Sequence, residues 1–216
     1  MDLTADLAEV TGALIGDGCL SKYYANYDKR WRYEIAFTGN NDEYNYYRDF
    51  IRPVFQNYFG TKGRLFIRKD NSTRFHVLSK KAFDFFVGLG IPVGEKSHYV
   101  FMPGKIMSNP NLFVPCLRGI WDTDGSIYQR YSKQYKNHPK HYSNLKSMHL
   151  QMSSKAIIED VKKCLTMLSI DSNEITTDSR GAFRLYITDQ EQIIKFLEII
   201  GFRNPHHSNR LSKLLA

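Results

Sequence analysis

The stretch GIWDTDGSIY, at residues 119–128, repeats the earlier TGALIGDGCL at residues 11–20, with 107 residues from one Asp-Gly to the next. In each copy an apolar run stops at Asp-Gly, at Asp17-Gly18 and at Asp124-Gly125. Alone, Asp-Gly is an ordinary turn signal. A second copy in a chain of 216 residues constrains the fold far more, because the segments that follow stay in step as well. Each motif is followed by strand-like segments rich in Tyr, Lys and Arg. A helix-like stretch comes next, NDEYNYYRDFIRPVFQNYF in one half and SKAIIEDVKKCLTMLSI in the other. Two more strands, a closing helix and a proline, Pro92 or Pro205, complete each half. A period this long lies outside the range of solenoid repeats. The sequence therefore predicts two similar domains, residues 1–93 and 111–216, with a linker at 94–110.

Both motifs read as helices that end at Asp-Gly. The first is expected to be capped by Thr4 and to carry Leu7, Val10 and Leu14; the second, to begin near Asn111 with Pro115 in its first turn. Gly12 and Gly16 stand four apart, as do Gly119 and Thr123. Small residues at that spacing form a smooth stripe on which another helix can approach closely. Glycine costs about 1 kcal/mol in a helix interior relative to alanine, so matched glycines ask for a reason. Packing of the two helices on each other at Gly12 and Gly119, around a pseudo-twofold axis, supplies it. Asp17 and Asp124 then meet at helix C-termini, where the dipole is negative and the last carbonyls are unpaired. A divalent cation relieves that conflict, and hard oxygen ligands suit Mg²⁺. An EF-hand is excluded, since Tyr131 falls where its bidentate Glu belongs.

The net charge of +8, from 30 Lys and Arg against 22 Asp and Glu, favours a polyanionic partner. Strand periodicity says where the charge goes. In RWRYEIAFT, Trp31, Tyr33, Ile35 and Phe37 share one face, while Arg30, Arg32 and Glu34 share the other. Phe75 and Val77 alternate with Arg74 and His76; Phe183, Leu185 and Ile187 alternate with Arg184 and Tyr186. Half-buried antiparallel sheets with basic outer faces fit this pattern. The candidate nucleic-acid contacts are Arg30, Arg32, Arg64, Arg68, Arg74 and His76 in the first half. In the second they are Arg130, His149, Gln151, Arg184 and Tyr186, with Lys133, Lys136, Lys140 and Lys146 on an extended hairpin at 129–146. His206 and His207 read as a surface segment before a short final helix, SNRLSKLLA. No apolar run approaches the roughly 20 residues of a membrane span. Three scattered cysteines without a Cys-x-x-Cys pair suggest an intracellular, reducing compartment, cytoplasm or organelle matrix.

The paired motifs resemble those of the LAGLIDADG homing endonucleases, in the form with both repeats in one chain. The second copy, Leu117-Arg118-Gly119-Ile120-Trp121-Asp122-Thr123-Asp124-Gly125, keeps both acids of the pattern; the first has Ile15 at the earlier one. The resemblance implies an α+β fold of tandem αββαββα repeats, with two four-stranded antiparallel sheets forming a saddle over duplex DNA. It implies a monomeric, intron-encoded type of enzyme that hydrolyses both strands at a long asymmetric site. Asp17 and Asp124 would bind Mg²⁺, or another divalent cation such as Mn²⁺, with the carbonyls of Gly16 and Thr123; Asp122 would be an accessory acid. Basic residues near the cut phosphates would be Lys80 and Lys155, although the two are not at equivalent positions. Two other readings share the basic surface: a maturase acting on host-intron RNA, and a non-catalytic DNA-binding protein of the same fold. Retention of both acids favours cleavage.

Overall fold

Helix α1 (Ala5–Ile15) and helix α6 (Pro110–Asp124) cross at the centre of the molecule. The computed structural model describes residues 2–134, 137, 139–141 and 145–215. Thr4 caps α1, its hydroxyl accepting from the Leu7 amide at 3.4 Å. Every residue from Leu7 to Ile15 is buried, as expected of a helix that is apolar on nearly all sides. Asn109 caps α6 and Pro110 occupies its first turn. Pro115 thus lies inside the helix, not in the first turn as the sequence suggested. The Asn111 carbonyl is left without its usual helical donor there.

The glycines set the crossing distance. A Cβ on Gly12 would stand 2.0 Å from the Cys116 carbonyl oxygen, and one on Gly119 would stand 2.0 Å from that of Glu9. Only glycine permits these backbones to touch.

Each half then builds the same layers. In the first, β1 (Gly18–Ala25) pairs with β2 (Arg30–Asn40). A helical run follows, made of a 3₁₀ turn (Asn41–Glu43), α2 (Tyr44–Tyr46), a π turn (Tyr47–Ile51) and α3 (Arg52–Phe59). Pro53 cannot donate to the Asp49 carbonyl, which accounts for the irregular winding before it. β3 (Arg64–Ile67), β4 (Ser72–Leu78) and α4 (Lys80–Gly88) complete the half. In the second half β5 (Gly125–Gln129), β6 (Lys146–Met152), α7 (Lys155–Met167), β7 (Thr176–Thr177), β8 (Phe183–Ile187) and α8 (Gln190–Ile199) repeat the order. Among the described residues the strands form two antiparallel four-stranded sheets, ordered β1-β2-β4-β3 and β5-β6-β8-β7. The expected tandem αββαββα plan and its α+β class hold.

One continuous core runs through both halves, from Leu7 and Phe37 to Trp121, Leu150 and Phe196. The 94–110 segment is more than a tether. It contributes α5 (Gly104–Met107) and buries Val100, Met102 and Ile106. Helix α9 (Pro205–Leu215) starts earlier than expected and takes in both histidines. His207 is buried and stacks on Phe202 at 4.8 Å, which corrects its reading as surface. His206 lies 3.4 Å from the Asp42 carboxylate. Among the described residues no helix is long and apolar enough to cross a membrane.

Candidate metal centre and nucleic-acid face

The helix crossing delivers Asp17 and Asp124 to one place. A Cβ on Gly16 would lie 2.0 Å from Thr123 Oγ1 and 2.5 Å from Asp124 Oδ2, so the ends of α1 and α6 are in contact. Both carboxylates keep a little solvent exposure. Burial pushes Asp17 up to about 8, with the charges of Asp124 and Glu43 adding to the rise and Lys96 opposing it. Burial likewise pushes Asp124 up to about 6, again opposed by Lys96. Two acids that resist ionisation in one cleft make a site short of positive charge.

Lys96 is the residue that sequence reasoning missed. It lies in the 94–110 segment, where no periodicity or motif marks it. Its ammonium donates to the Ile15 carbonyl and to the Gly16 carbonyl, the latter at 2.6 Å, and so caps the end of α1. Burial lowers its pKa, while Asp124 and Asp17 hold it up. A cavity of about 160 Å³ is bordered by Gly16, Lys96, Asp124, Gln151 and Ser153. A second cleft is bordered by Asp17, Gly18, Cys19, Gly94 and again Lys96. Each acid thus has its own opening, with Lys96 bordering both.

Further groups close the site. Tyr47, presented by the π turn, points its hydroxyl at Asp17 Oδ2 at 3.4 Å. Glu43 is buried and accepts from the Asn40 amide and from Asn204 Nδ2 at 3.1 Å. Asn204 also donates to the Asp122 carbonyl at 2.8 Å. Register makes Asp122 the counterpart of Ile15, so a neutral amide caps α6 where an ammonium caps α1.

The donor set fits a divalent, oxygen-seeking ion. It offers two convergent carboxylates and main-chain carbonyls at two helix ends. Among the described residues no cluster of three or more His, Cys, Asp or Glu side chains is placed to hold an ion, so the fit rests on these two acids plus backbone oxygens. Asp122 faces elsewhere. It is fully buried, and its two oxygens accept from the Arg203 amide at 3.2 and 3.0 Å. Nearby, Glu9 is held by Arg118 at 3.1 Å and by Arg203 at 2.5 Å, tying α1 to the second half.

Lys80 and Lys155 are not brought to the acids. Each lies exposed on its helix and pairs one turn on, with Asp84 at 2.5 Å and with Glu159 at 3.0 Å. Neither borders the two openings.

The candidate contact residues sort by strand register. Arg30, Arg32, Arg74, His76 and Arg64 fall on the sheet face opposite the core, since Arg74 pairs with Thr38, and His76 with Ala36 and Arg64. Arg68 lies at the turn after β3. His149, Gln151, Arg184 and Tyr186 share the matching face of the second sheet. His149 stacks on Tyr186 at 5.4 Å, and burial and the Arg184 charge lower its pKa. Lys146 begins β6, Arg130 donates its amide to Leu145, and Lys133 pairs with Lys140 across the 129–146 hairpin. Lys136 falls outside the described residues.

A family model of LAGLIDADG-like domains matches residues 115–201. No curated protein sequence matches the chain. Among solved structures, I-DmoI in complex with DNA and Mn is 22% identical, with a TM-score of 0.67 over 93% of this chain and 98% of that one. Mesophilic variants of the homing endonuclease I-DmoI give a TM-score of 0.69 at 20% identity, covering 99% of this chain and 100% of theirs. Full-length DUF199/WhiA from Thermatoga maritima gives 0.56 at 15% identity, over 97% of this chain and 60% of that one. The chain thus carries a LAGLIDADG-like domain at residues 115–201, within a two-repeat fold that it shares over nearly its whole length with the homing endonuclease I-DmoI.

Proposed function

We propose that this protein is a metal-dependent endonuclease that cuts both strands of a specific DNA duplex. One observation carries the reading: Asp17 and Asp124, one from each repeat, converge at the ends of two crossed helices, and each faces its own opening. A DNA-binding protein without catalysis has no need of two acids kept buried at high electrostatic cost. The likeness to I-DmoI, described in complex with DNA and Mn, supports the same reading.

Asp17 and Asp124 would hold Mg²⁺ or Mn²⁺, with backbone oxygens of Gly16 and Thr123 at the helix ends. When bound, the ion would supply an activated water and a stabiliser for the leaving oxygen. Lys96 places a positive charge beside both acids, where it neutralises the phosphodiester that enters the cleft. Tyr47 and Glu43 hold the Asp17 side of the site in place. The two sheets bring their basic faces to the duplex, and phosphate contacts by Lys and Arg fix its position. The repeats are unequal in sequence, so the protein acts as a monomer on an asymmetric target.

The test is a plasmid library carrying randomised inserts, incubated with Mg²⁺ or Mn²⁺ and scored for linear product. Linearisation of a defined subset supports the reading. A library left intact, with binding to duplex still present, favours the non-catalytic alternative.

A further inference from the structure

Arg184 and Arg74 occupy the same place in the two sheets. Gly18 pairs with Phe37, and Phe37 with Phe75; Gly125 pairs with Leu150, and Leu150 with Leu185. Arg74 directly precedes Phe75, and Arg184 directly precedes Leu185. Both point away from the core on the faces assigned to DNA.

Both are also held. Arg184 donates from Nε to Gln151 Oε1 at 2.8 Å and from Nη2 to Asp178 Oδ2 at 2.9 Å. Those two donors form the side edge of the guanidinium. Among the described residues the end edge, with parallel N–H groups on Nη1 and Nη2, meets no protein acceptor. Gln151 is fixed in turn by donating to Asp178 Oδ2 at 3.1 Å. Asp178 is anchored through its other oxygen, Oδ1, which accepts from the Arg180 amide at 2.8 Å and the Ala182 amide at 2.9 Å. Its side chain is only 6% exposed, whereas that of Arg184 is 36% exposed. In the first half Arg74 Nη2 is held at 2.8 Å by Glu34 Oε1, with His76 Nδ1 3.3 Å from the same oxygen.

An arginine that serves only to neutralise phosphate has no use for a carboxylate fixed against it, since the acid cancels its charge. A fixed fork with one free edge is instead the geometry that meets the O6 and N7 acceptors of guanine in the major groove. We infer that Arg184 and Arg74 each read one guanine, that the two guanines lie on opposite strands at positions related by the pseudo-twofold axis, and that Asp178 with Gln151, and Glu34, are positioning residues for these readers. Gln151 also borders the cavity at Asp124, which places the Arg184 base pair close to the cut. This inference rests on the endonuclease reading for its DNA surface, but it fixes base identity and symmetry, which that reading leaves open.

The experiment selects bound duplexes from a pool with a randomised core, in Ca²⁺ and without cleavage, for the intact protein and single variants. The expected wild-type consensus carries one G in each half-site, on opposite strands and at equal distance from the centre. Arg184→Lys keeps the charge but loses the fork. It should cut the preference for G at one of these positions about tenfold or more and leave the rest of the consensus unchanged. Arg74→Lys should do the same at the other. Asp178→Asn keeps the Oδ1 acceptor for the turn and replaces only the oxygen that faces Arg184. It should relax the Arg184 position alone, with an unchanged melting temperature.

An even loss across all sequences with Arg184→Lys, accompanied by a shallower salt dependence, overturns the inference in favour of a phosphate contact. A lysine-sensitive position that is not G also overturns it, and an unchanged consensus in Asp178→Asn removes the positioning role. A wild-type protein that selects no sequence at all defeats the endonuclease reading itself.

Discussion

The Lys96 ammonium stands 2.6 Å from the carbonyl oxygen of Gly16, the residue that caps α1 and directly precedes the acid Asp17. A cation is therefore already built into the site. It sits at the negative end of the α1 dipole and borders the openings that belong to the two acids.

Lys96→Met is expected to slow single-turnover cleavage by about 10²-fold, the usual effect of removing one preorganised electrostatic contact from a transition state. Duplex binding in Ca²⁺ should change little, since the sheet faces are untouched. A variant that cuts at the wild-type rate removes Lys96 from the chemistry.

The three acids of the paired motifs should separate cleanly. Asp17→Asn and Asp124→Asn are each expected to lower cleavage by several orders of magnitude while binding survives, because the ion they are proposed to hold would govern both nucleophile and leaving group. Asp122→Asn should retain most activity. Burial pushes Asp122 up to about 8, so it is largely neutral at pH 7, and its oxygens serve the Arg203 amide. Loss of cleavage in Asp122→Asn, with normal cutting by Asp124→Asn, would mean that the register assigned to the motif is wrong.

Stability of the metal-free protein should depend on pH in a defined direction. Asp17 is raised from 3.8 to about 8. The folded state therefore keeps a proton that the unfolded chain has released. This contribution is fully present below about pH 4 and is lost as pH rises toward 8. In EDTA, Asp17→Asn should raise the melting temperature at pH 8 by at least about 2–4 °C, the shift expected for about 1 kcal/mol in a chain of this size. The gain should shrink toward pH 5. His207, lowered to about 4 by burial, contributes the opposite slope below about 6.5, so the wild-type and variant curves must be compared as a difference. A difference that does not vary with pH would show that Asp17 is not buried at high pKa.

Gly119→Ala tests the crossing. The added methyl would fall 2.0 Å from the Glu9 carbonyl oxygen, a backbone atom that can give way only if α1 moves. A loss of about 1–3 kcal/mol or more is expected in denaturant unfolding. Gly104→Ala, where a Cβ meets nothing within 4 Å, is the control. Equal stabilities for the two variants would contradict the close approach.

Much of this architecture was legible in the sequence because it is periodic and local. The spacing of Gly12 and Gly119 relative to Asp17 and Asp124 announced two equivalent helices ending in acids. Alternation in RWRYEIAFT, TRFHV and FRLYI assigned each strand its buried and outer faces, because strand side chains alternate by geometry. What stayed hidden depends on contacts between segments far apart in the chain. Lys96 reaches Ile15 and Gly16 across about 80 residues from a stretch with no period of its own. His207 looked like a surface residue until Phe202 covered it, and Lys80 and Lys155 looked available until their helices turned them toward Asp84 and Glu159. The sequence alone determined which acids would meet, since backbone stereochemistry and burial act residue by residue. Only the tertiary structure decided which cation stands beside them and which arginines are held by carboxylates, because those depend on distances that no local pattern encodes.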